Sequence, residues 1–330
     1  MSHNKTRKQS EIVLAELTKK SKNGLDFAKR IILSEKIQYT ELRDALEYYV
    51  SSWNDITHPG LFGVAYEAVG GDPQAAVHFQ AALAMIAAAF DIHDDIIDKS
   101  VLKHGAPTVF GKFGEEIALL LGNVFLIEGF TLFGKSLEEL HQEKAKAFET
   151  IKQSLYEFGN AHAMELSLKK RADVPPEEYL KIVKMKAASI EGDMRIGAII
   201  GGGTHKEVEA LARYGRILGT LAMLREEFVD IFDIEELNQR VSREYVPIPI
   251  LYAMEDADSK KEIEKLLGNR IKKKNIDILI DIVLKSKKVG NLKKYMEKLV
   301  SEAVELTSGV RNRSLRDQLR NFASSTLEDI

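Results

Sequence analysis

Apolar residues recur at steps of three and four along most of the chain, as at Ile12, Leu14, Ala15 and Leu17 and again at Ile276, Leu279, Ile280 and Val283. That spacing gathers them on one face of an α-helix. Alternating strand patterns closed by Asn-Gly turns are missing. The seven prolines sit at Pro59, Pro73, Pro107, Pro175, Pro176, Pro247 and Pro249, leaving long stretches free for helix. Asp72-Pro73 reads as a capping residue followed by proline at the first helical position, and Val174-Pro175-Pro176-Glu177 reads as a second start. Breaks are expected at Gly70-Gly71, Gly201-Gly202-Gly203 and Gly309. The pattern predicts about ten to twelve helices and no convincing strand. Nothing resembles a solenoid repeat or a flexible linker, so residues 1–330 are expected to form a single all-α domain. After about residue 254 lysines interrupt the amphipathic pattern, as solvated outer faces do.

Two places break the apolar pattern with acid. The nearly all-apolar segment Ala81 to Phe90 runs straight into Asp91-Ile92-His93-Asp94-Asp95-Ile96-Ile97-Asp98. On a helix Asp94 and Asp98 stand one above the other, with Asp95 about 100° round and Asp91 on the same side as Asp94. Like charges at that spacing oppose helix formation, and taking them out of water costs more. A divalent cation offsets that cost; Mg²⁺ suits it, because it takes a few carboxylate oxygens, keeps waters and draws its other ligands from phosphates. The alternative is an exposed acidic helix end. Glu226, Glu227 and Asp230 repeat the spacing behind the apolar run Ile217 to Leu224, although Asp233, Glu235 and Glu236 extend the acidity and also suit an ordinary wet face. Facing one another, the two sets would cage several Mg²⁺ ions around a diphosphate leaving group.

Composition narrows the field. A formal charge of -3 gives no basic field for nucleic acid. The absence of cysteine removes disulfides, thiolate zinc sites and a cysteine nucleophile. No signal-like apolar stretch opens the sequence and no uninterrupted apolar run reaches the roughly 18 residues of a membrane span, so a cytoplasmic protein not integral to the membrane is expected.

Over roughly Asn54 to Ala253 these residues resemble the trans-isoprenyl diphosphate synthases, the polyprenyl synthetase family. Asp94-Asp95-Ile96-Ile97-Asp98 resembles its first aspartate-rich motif, and Lys103-His104-Gly105-Ala106-Pro107-Thr108 its downstream Arg-Arg-Gly-x-Pro-Thr. Lys186-Ala187-Ala188 is similar to the family's Lys-Thr-Ala; Glu226-Glu227-Phe228-Val229-Asp230 occupies the second motif, and Pro249-Ile250-Leu251-Tyr252-Ala253 resembles the Pro-Leu-Leu-Tyr-Ala that follows. The resemblance implies the isoprenoid-synthase helical bundle around an apolar cavity. It implies Mg²⁺ on Asp94, Asp95, Asp98, Glu226, Glu227 and Asp230, and an allylic isoprenoid diphosphate met by Lys103 and Lys186. Asp94, Asp95, Asp98 and Lys186 become the catalytic candidates. Ala89 and Phe90, just before the first motif, are expected at the tail pocket or in the core. Relatives of this kind are generally dimers, so a homodimer or a heterodimer with a homologue is expected.

Departures cluster on one side. Where the family binds isopentenyl diphosphate through Gly-Lys-Arg-x-Arg-Pro, this chain reads Asn54-Asp55-Ile56-Thr57-His58-Pro59. The second arginine of Arg-Arg-Gly is His104, the histidine after Pro-Thr-x is Phe110, and the lysine of Gly-Lys-x-Thr-Leu-Pro is Tyr245, with Arg243 nearby as a substitute. Three functions remain open: ionisation of an allylic diphosphate without isopentenyl diphosphate, followed by cyclisation or transfer to another acceptor; chain elongation with isopentenyl diphosphate; and a non-catalytic subunit tuning an active homologue. The first is the leading expectation.

Overall fold

The computed structural model describes residues 8–103, 105–138, 143–169, 174–243, 245–268, 271–328 and 330. They form sixteen α-helices, two short 3-10 helices and a two-stranded hairpin. In chain order the helices are α1 (Gln9–Ser34), α2 (Thr40–Ser52), α3 (Thr57–Ala68), α4 (Val77–Ile97), α5 (Val109–Phe113), α6 (Glu115–Ser136), α7 (Glu143–Leu168) and α8 (Pro176–Lys186). They continue with α9 (Ala188–Ile200), α10 (His205–Val229), α11 (Ile234–Arg243), α12 (Ile248–Ala253), α13 (Ala257–Leu267), α14 (Lys273–Lys285), α15 (Lys287–Leu306) and α16 (Arg313–Ser325). The all-α expectation holds. The helix number exceeds it because short connections between Pro247 and Lys287 divide what reads as continuous amphipathic sequence into α12, α13, α14 and α15.

Two local readings need correction. Strands β1 (Leu102–Lys103) and β2 (Ala106–Pro107) pair antiparallel, Leu102 with Pro107 and Lys103 with Ala106. The turn uses Gly105 at φ +78, a left-handed value that glycine adopts without cost. Two-residue strands carry no alternation a sequence scan could detect. Asp72-Pro73 does not open a helix; the Asp72 side chain accepts from Gln74 N–H at 3.1 Å and its carbonyl from Ala75 N–H, making a turn that delays α4 to Val77. Pro176 does stand at the start of α8.

The chain divides into two compact units, 14–150 with 193–209, and the remainder. In the first, α4 is buried along most of its length through Phe79, Ala82, Met85, Ala88 and Ile92. Its alanines let α6 pack closely, and Gly129 of α6 approaches so near that an added Cβ would stand 2.8 Å from Ile86 Cγ1. Helix α6 is long and apolar enough to cross a membrane by length and composition alone, with mean hydropathy 1.9. It contributes Leu121, Phe125 and Phe133 to the interior, while Ile127 on its other side is exposed. Trp53 stacks edge-on against Phe125 with centroids 5.3 Å apart, fixing the end of α2 beside α6.

In the second unit α12 is buried throughout and α10 sends Leu221, Leu224 and Phe228 into the interior. The buried Tyr214 hydroxyl donates to the Leu319 carbonyl at 2.6 Å, pinning α16 on α10.

Glycine decides one further contact. Gly197 on α9 and Gly201 just past its end lie one turn apart, against the α3 backbone. A Cβ at Gly197 would stand 2.6 Å from Phe62 O, and one at Gly201 2.7 Å from Tyr66 O. Gly202, at φ +80, then ends the helix, as expected for the glycine triplet. Gly197→Ala should therefore cost about 1–3 kcal/mol through overpacking against backbone that cannot rotate away. Urea unfolding should show a lower midpoint with an unchanged slope.

Candidate active site

The first acidic set ends α4, and the burial of Asp95 within it follows from the helix that carries it. Asp95 is only 8% exposed, and Asp98 caps the helix, donating its N–H to the Asp94 carbonyl at 2.9 Å. The chain then turns back through the hairpin, held by Ser100 N–H to Asp95 O at 2.9 Å and Thr108 N–H to Val101 O at 3.0 Å. The Thr108 hydroxyl accepts from Gly111 N–H at 2.9 Å and opens α5, while the Tyr48 hydroxyl donates to Pro107 O at 2.6 Å. This frame returns Lys103 to the acids: its Nζ lies 2.5 Å from Asp91 Oδ1 and 3.7 Å from Asp95 Oδ1. Burial pushes the Asp95 carboxyl up to about 7 in spite of Lys103, with Asp91 and Asp94 adding to the rise. Burial would lower the Lys103 pKa, but Asp91 and Asp95 outweigh it and raise it. One ammonium is too little positive charge for this set.

Beside it opens a cavity of about 880 Å³, walled by Tyr48, Tyr49, Trp53, Asp55, His58, Ala87, Ala88, Asp91, Asp95 and Lys103. Ala87 and Ala88 supply the apolar floor; Ala89 lies wholly buried in the core and Phe90 is half-buried, its ring edge-on to His93 at 6.5 Å. His58 Nδ1 sits 2.6 Å from Asp193 Oδ2 on α9, and Asp55 Oδ1 accepts from the N–H groups of Thr57 and His58 to start α3. Burial alone would lower the His58 pKa; Asp193 outweighs it, with Asp55 and Asp91 adding, and raises it to about 9.

The second acidic set ends α10 in the other unit, around a buried polar network. Glu227, 8% exposed, accepts at Oε1 from the Tyr179 hydroxyl and from Arg240 Nη2, both at 2.8 Å, and at Oε2 from Ile248 N–H at 2.8 Å. Asp230 Oδ2 accepts from Arg240 Nη1 at 2.6 Å. Burial raises the Asp230 carboxyl to about 6, with Arg240 pulling the other way. Glu226 is largely exposed and meets Arg225 at 3.1 Å. Lys186 is paired with Glu165, which also accepts from the Tyr245 hydroxyl, and the Tyr245 and Tyr179 rings lie 4.6 Å apart. The Arg243 side chain lies outside the described residues, as does His104.

No group of three or more Asp, Glu or His is arranged to hold a metal among the described residues. Magnesium needs less, commonly one or two carboxylates with waters and substrate phosphates completing its shell. Asp91 and Asp95 converge on one cationic point and Asp95 is left under-neutralised, so this pair fits such an ion.

The profile of the family described as Polyprenyl synthetase matches residues 39–283. The chain belongs to the polyprenyl synthetase family. It is 29% identical over 259 residues to a short chain isoprenyl diphosphate synthase of Methanothermobacter thermautotrophicus, covering 77% of this chain and 78% of that one. It is 24% identical over 283 residues to a geranylgeranyl diphosphate synthase of Sulfolobus acidocaldarius, covering 83% and 86%. In structure it is similar to the geranylgeranyl pyrophosphate synthetase of Pyrococcus horikoshii, with TM-score 0.86 and 23% identity over 98% of this chain and all of that one. The fold is therefore the helical bundle of this polyprenyl synthetase family. These relatives are prenyl diphosphate synthases. They favour the chain-elongating alternative, and a cyclase or a transferase to another acceptor finds no support among them.

Sequence reasoning found both acidic sets and Lys103 but missed Arg240 and Asp193. Arg240 follows Glu227 by thirteen residues on what reads as a polar helix, with no signal that it turns inward. Asp193 had one, an acid set between Ile190, Met194 and Ile196 on an otherwise buried helix.

The His58–Asp193 pair makes stability depend on pH. The folded protein holds the His58 proton up to about 9 and the unfolded chain up to its ordinary 6.5. Its contribution is full below 6.5 and is lost as pH rises through 9. His58→Asn should cost on the order of 3 kcal/mol near pH 6, where it strands the buried Asp193 carboxylate. Melting curves of the two proteins should converge as pH climbs from 6.5 to 9; a gap that stays constant would contradict the pairing.

Proposed function

We propose that this polyprenyl synthetase is a magnesium-dependent prenyltransferase that holds an allylic isoprenoid diphosphate at Asp94, Asp95 and Asp98 and lengthens it with isopentenyl diphosphate. The observation that carries the reading is the under-neutralised Asp95, beside Lys103 at the mouth of a cavity large enough for an isoprenoid. Family membership and the relatives' names support the transfer chemistry. Bound Mg²⁺ would supply positive charge to the departing diphosphate. The chain's own contribution is to hold that charge in a fixed place. The hairpin keeps Lys103 over Asp91 and Asp95, and the α4 burial fixes the carboxylates' direction. Ala87 and Ala88 give the organic part of the substrate an apolar wall that keeps water from a carbocation, with Ala89 and Phe90 behind them. Lys186, held by Glu165, and Arg243 are proposed for the diphosphate. We take residues 1–330 to work as one isoprenoid-synthase domain, in a cytoplasmic homodimer or a heterodimer with a homologue.

One observation favours a second reading, transfer to an acceptor other than isopentenyl diphosphate. Among the described residues walling the cavity, the cations are Lys103 and His58, and carboxylates hold both. A second diphosphate entering there meets Asp55, Asp91 and Asp95 instead of free arginines.

Incubating the purified protein with Mg²⁺, farnesyl or geranylgeranyl diphosphate and isopentenyl diphosphate should give longer prenyl diphosphates by chromatography. Release of pyrophosphate without isopentenyl diphosphate, and no longer product with it, would transfer the assignment to the second reading. Asp95→Asn, which keeps the side-chain shape, should lower kcat by about 100-fold or more. Were the chain a non-catalytic subunit, Asp94→Ala would leave a complex reconstituted with an active homologue unchanged. A single domain should also unfold in one transition, with fluorescence from Trp53 and far-UV ellipticity coinciding.

A further inference from the structure

The second acidic set already holds a cation of the chain's own. Both Glu227 oxygens are engaged, by the Tyr179 hydroxyl and Arg240 Nη2 on one and by Ile248 N–H on the other, each at 2.8 Å. The same guanidinium reaches Asp230 Oδ2 at 2.6 Å. Its side chain is 6% exposed, so this is an interior contact and not a surface pair that salt would loosen. A guanidinium is charged at every working pH and presents its donors in a planar fork, here divided between two carboxylates. Magnesium demands close oxygen ligands in near-octahedral order. To use Glu227 it would have to evict a buried hydroxyl, a guanidinium and a backbone N–H, none of which has water to fall back on. Glu226, exposed and paired with Arg225, offers a lone carboxylate on the outside.

We infer that Arg240 is the resident counter-ion of the second acidic set, standing where a divalent ion is expected, and that ion binding is confined to the first set. The magnesium reading of the first set supports this only in fixing where the remaining ions go. Arg240 is thus a positioning residue. It joins α10 to α11 through Glu227 and Asp230, and Glu227 in turn fixes Ile248 at the start of α12.

The test counts ions without using catalysis. Mn²⁺ is titrated into the full-length protein, with and without inorganic pyrophosphate, and free ion is followed by electron paramagnetic resonance. Wild type should bind ions that disappear in Asp94→Asn/Asp95→Asn and are unchanged in the near-isosteric Glu227→Gln/Asp230→Asn protein. Arg240→Gln uncovers the buried Glu227 and the part-buried Asp230 carboxylates and should take up one additional ion per chain, a gain that loss of a merely structural contact would not produce. Thermal melts establish that each variant is folded. A lower ion count in Glu227→Gln/Asp230→Asn overturns the inference, and so does a folded Arg240→Gln with no added ion. If Arg240→Gln does not fold, the Glu227→Gln/Asp230→Asn count decides alone. Wild type without bound ions, together with an ion gained in Arg240→Gln, would sink the magnesium reading of the first set while upholding Arg240 as the counter-ion of the second.

Discussion

Carboxylates at the ends of greasy helices must be neutralised, and the rest of the structure is arranged around that requirement. Helix α4 is apolar along most of its length and α10 is apolar on the face that fills the interior of its unit, yet each ends in acid that burial makes costly. The answer differs between them. At the end of α4 a single ammonium is brought in on a hairpin and does not suffice, so Asp95 is pushed up to about 7. At the end of α10 a guanidinium, one tyrosine and a backbone amide share the work, and Glu227 is satisfied at both oxygens. One site is electrostatically open and the other closed, although the two motifs share one spacing.

How much of this was legible follows from the kind of signal each residue leaves. Helices were readable because three-and-four periodicity is written into many residues at once. The acidic sets were readable because Asp94 and Glu227 interrupt apolar runs, where charge is conspicuous. The hairpin was not, since four paired residues carry no pattern, and its effect, the placing of Lys103, depends on Gly105 adopting a left-handed φ. Arg240 was not, because an arginine on a polar helix face reads as solvent-facing until the fold shows which way the helix is turned. Paired residues distant in sequence, such as His58 and Asp193, become partners only through tertiary packing.

The wall of the first cavity carries a related lesson. Sequence departures at Asp55 and His58 read as the loss of phosphate donors, and the structure gives those residues other employment: Asp55 starts α3 and His58 neutralises Asp193. The two residues are coupled, since removing either one strands the other's charge in the interior. Relatives named as prenyl diphosphate synthases set the expectation for the reaction; on this wall the two cations, Lys103 and His58, are both held by carboxylates.

The hairpin after α4 has a further consequence. Because Lys103 pairs with Ala106 and the hairpin is tied at its base by Ser100 N–H to Asp95 O and Thr108 N–H to Val101 O, its side chain faces the acids by register and not by the wandering of a loose loop. Register has parity: one residue inserted between β1 and Gly105 would turn the ammonium to the opposite face while leaving composition and net charge untouched. The length of this short connection is therefore a setting in its own right, one that lineages could adjust without altering a single acidic residue.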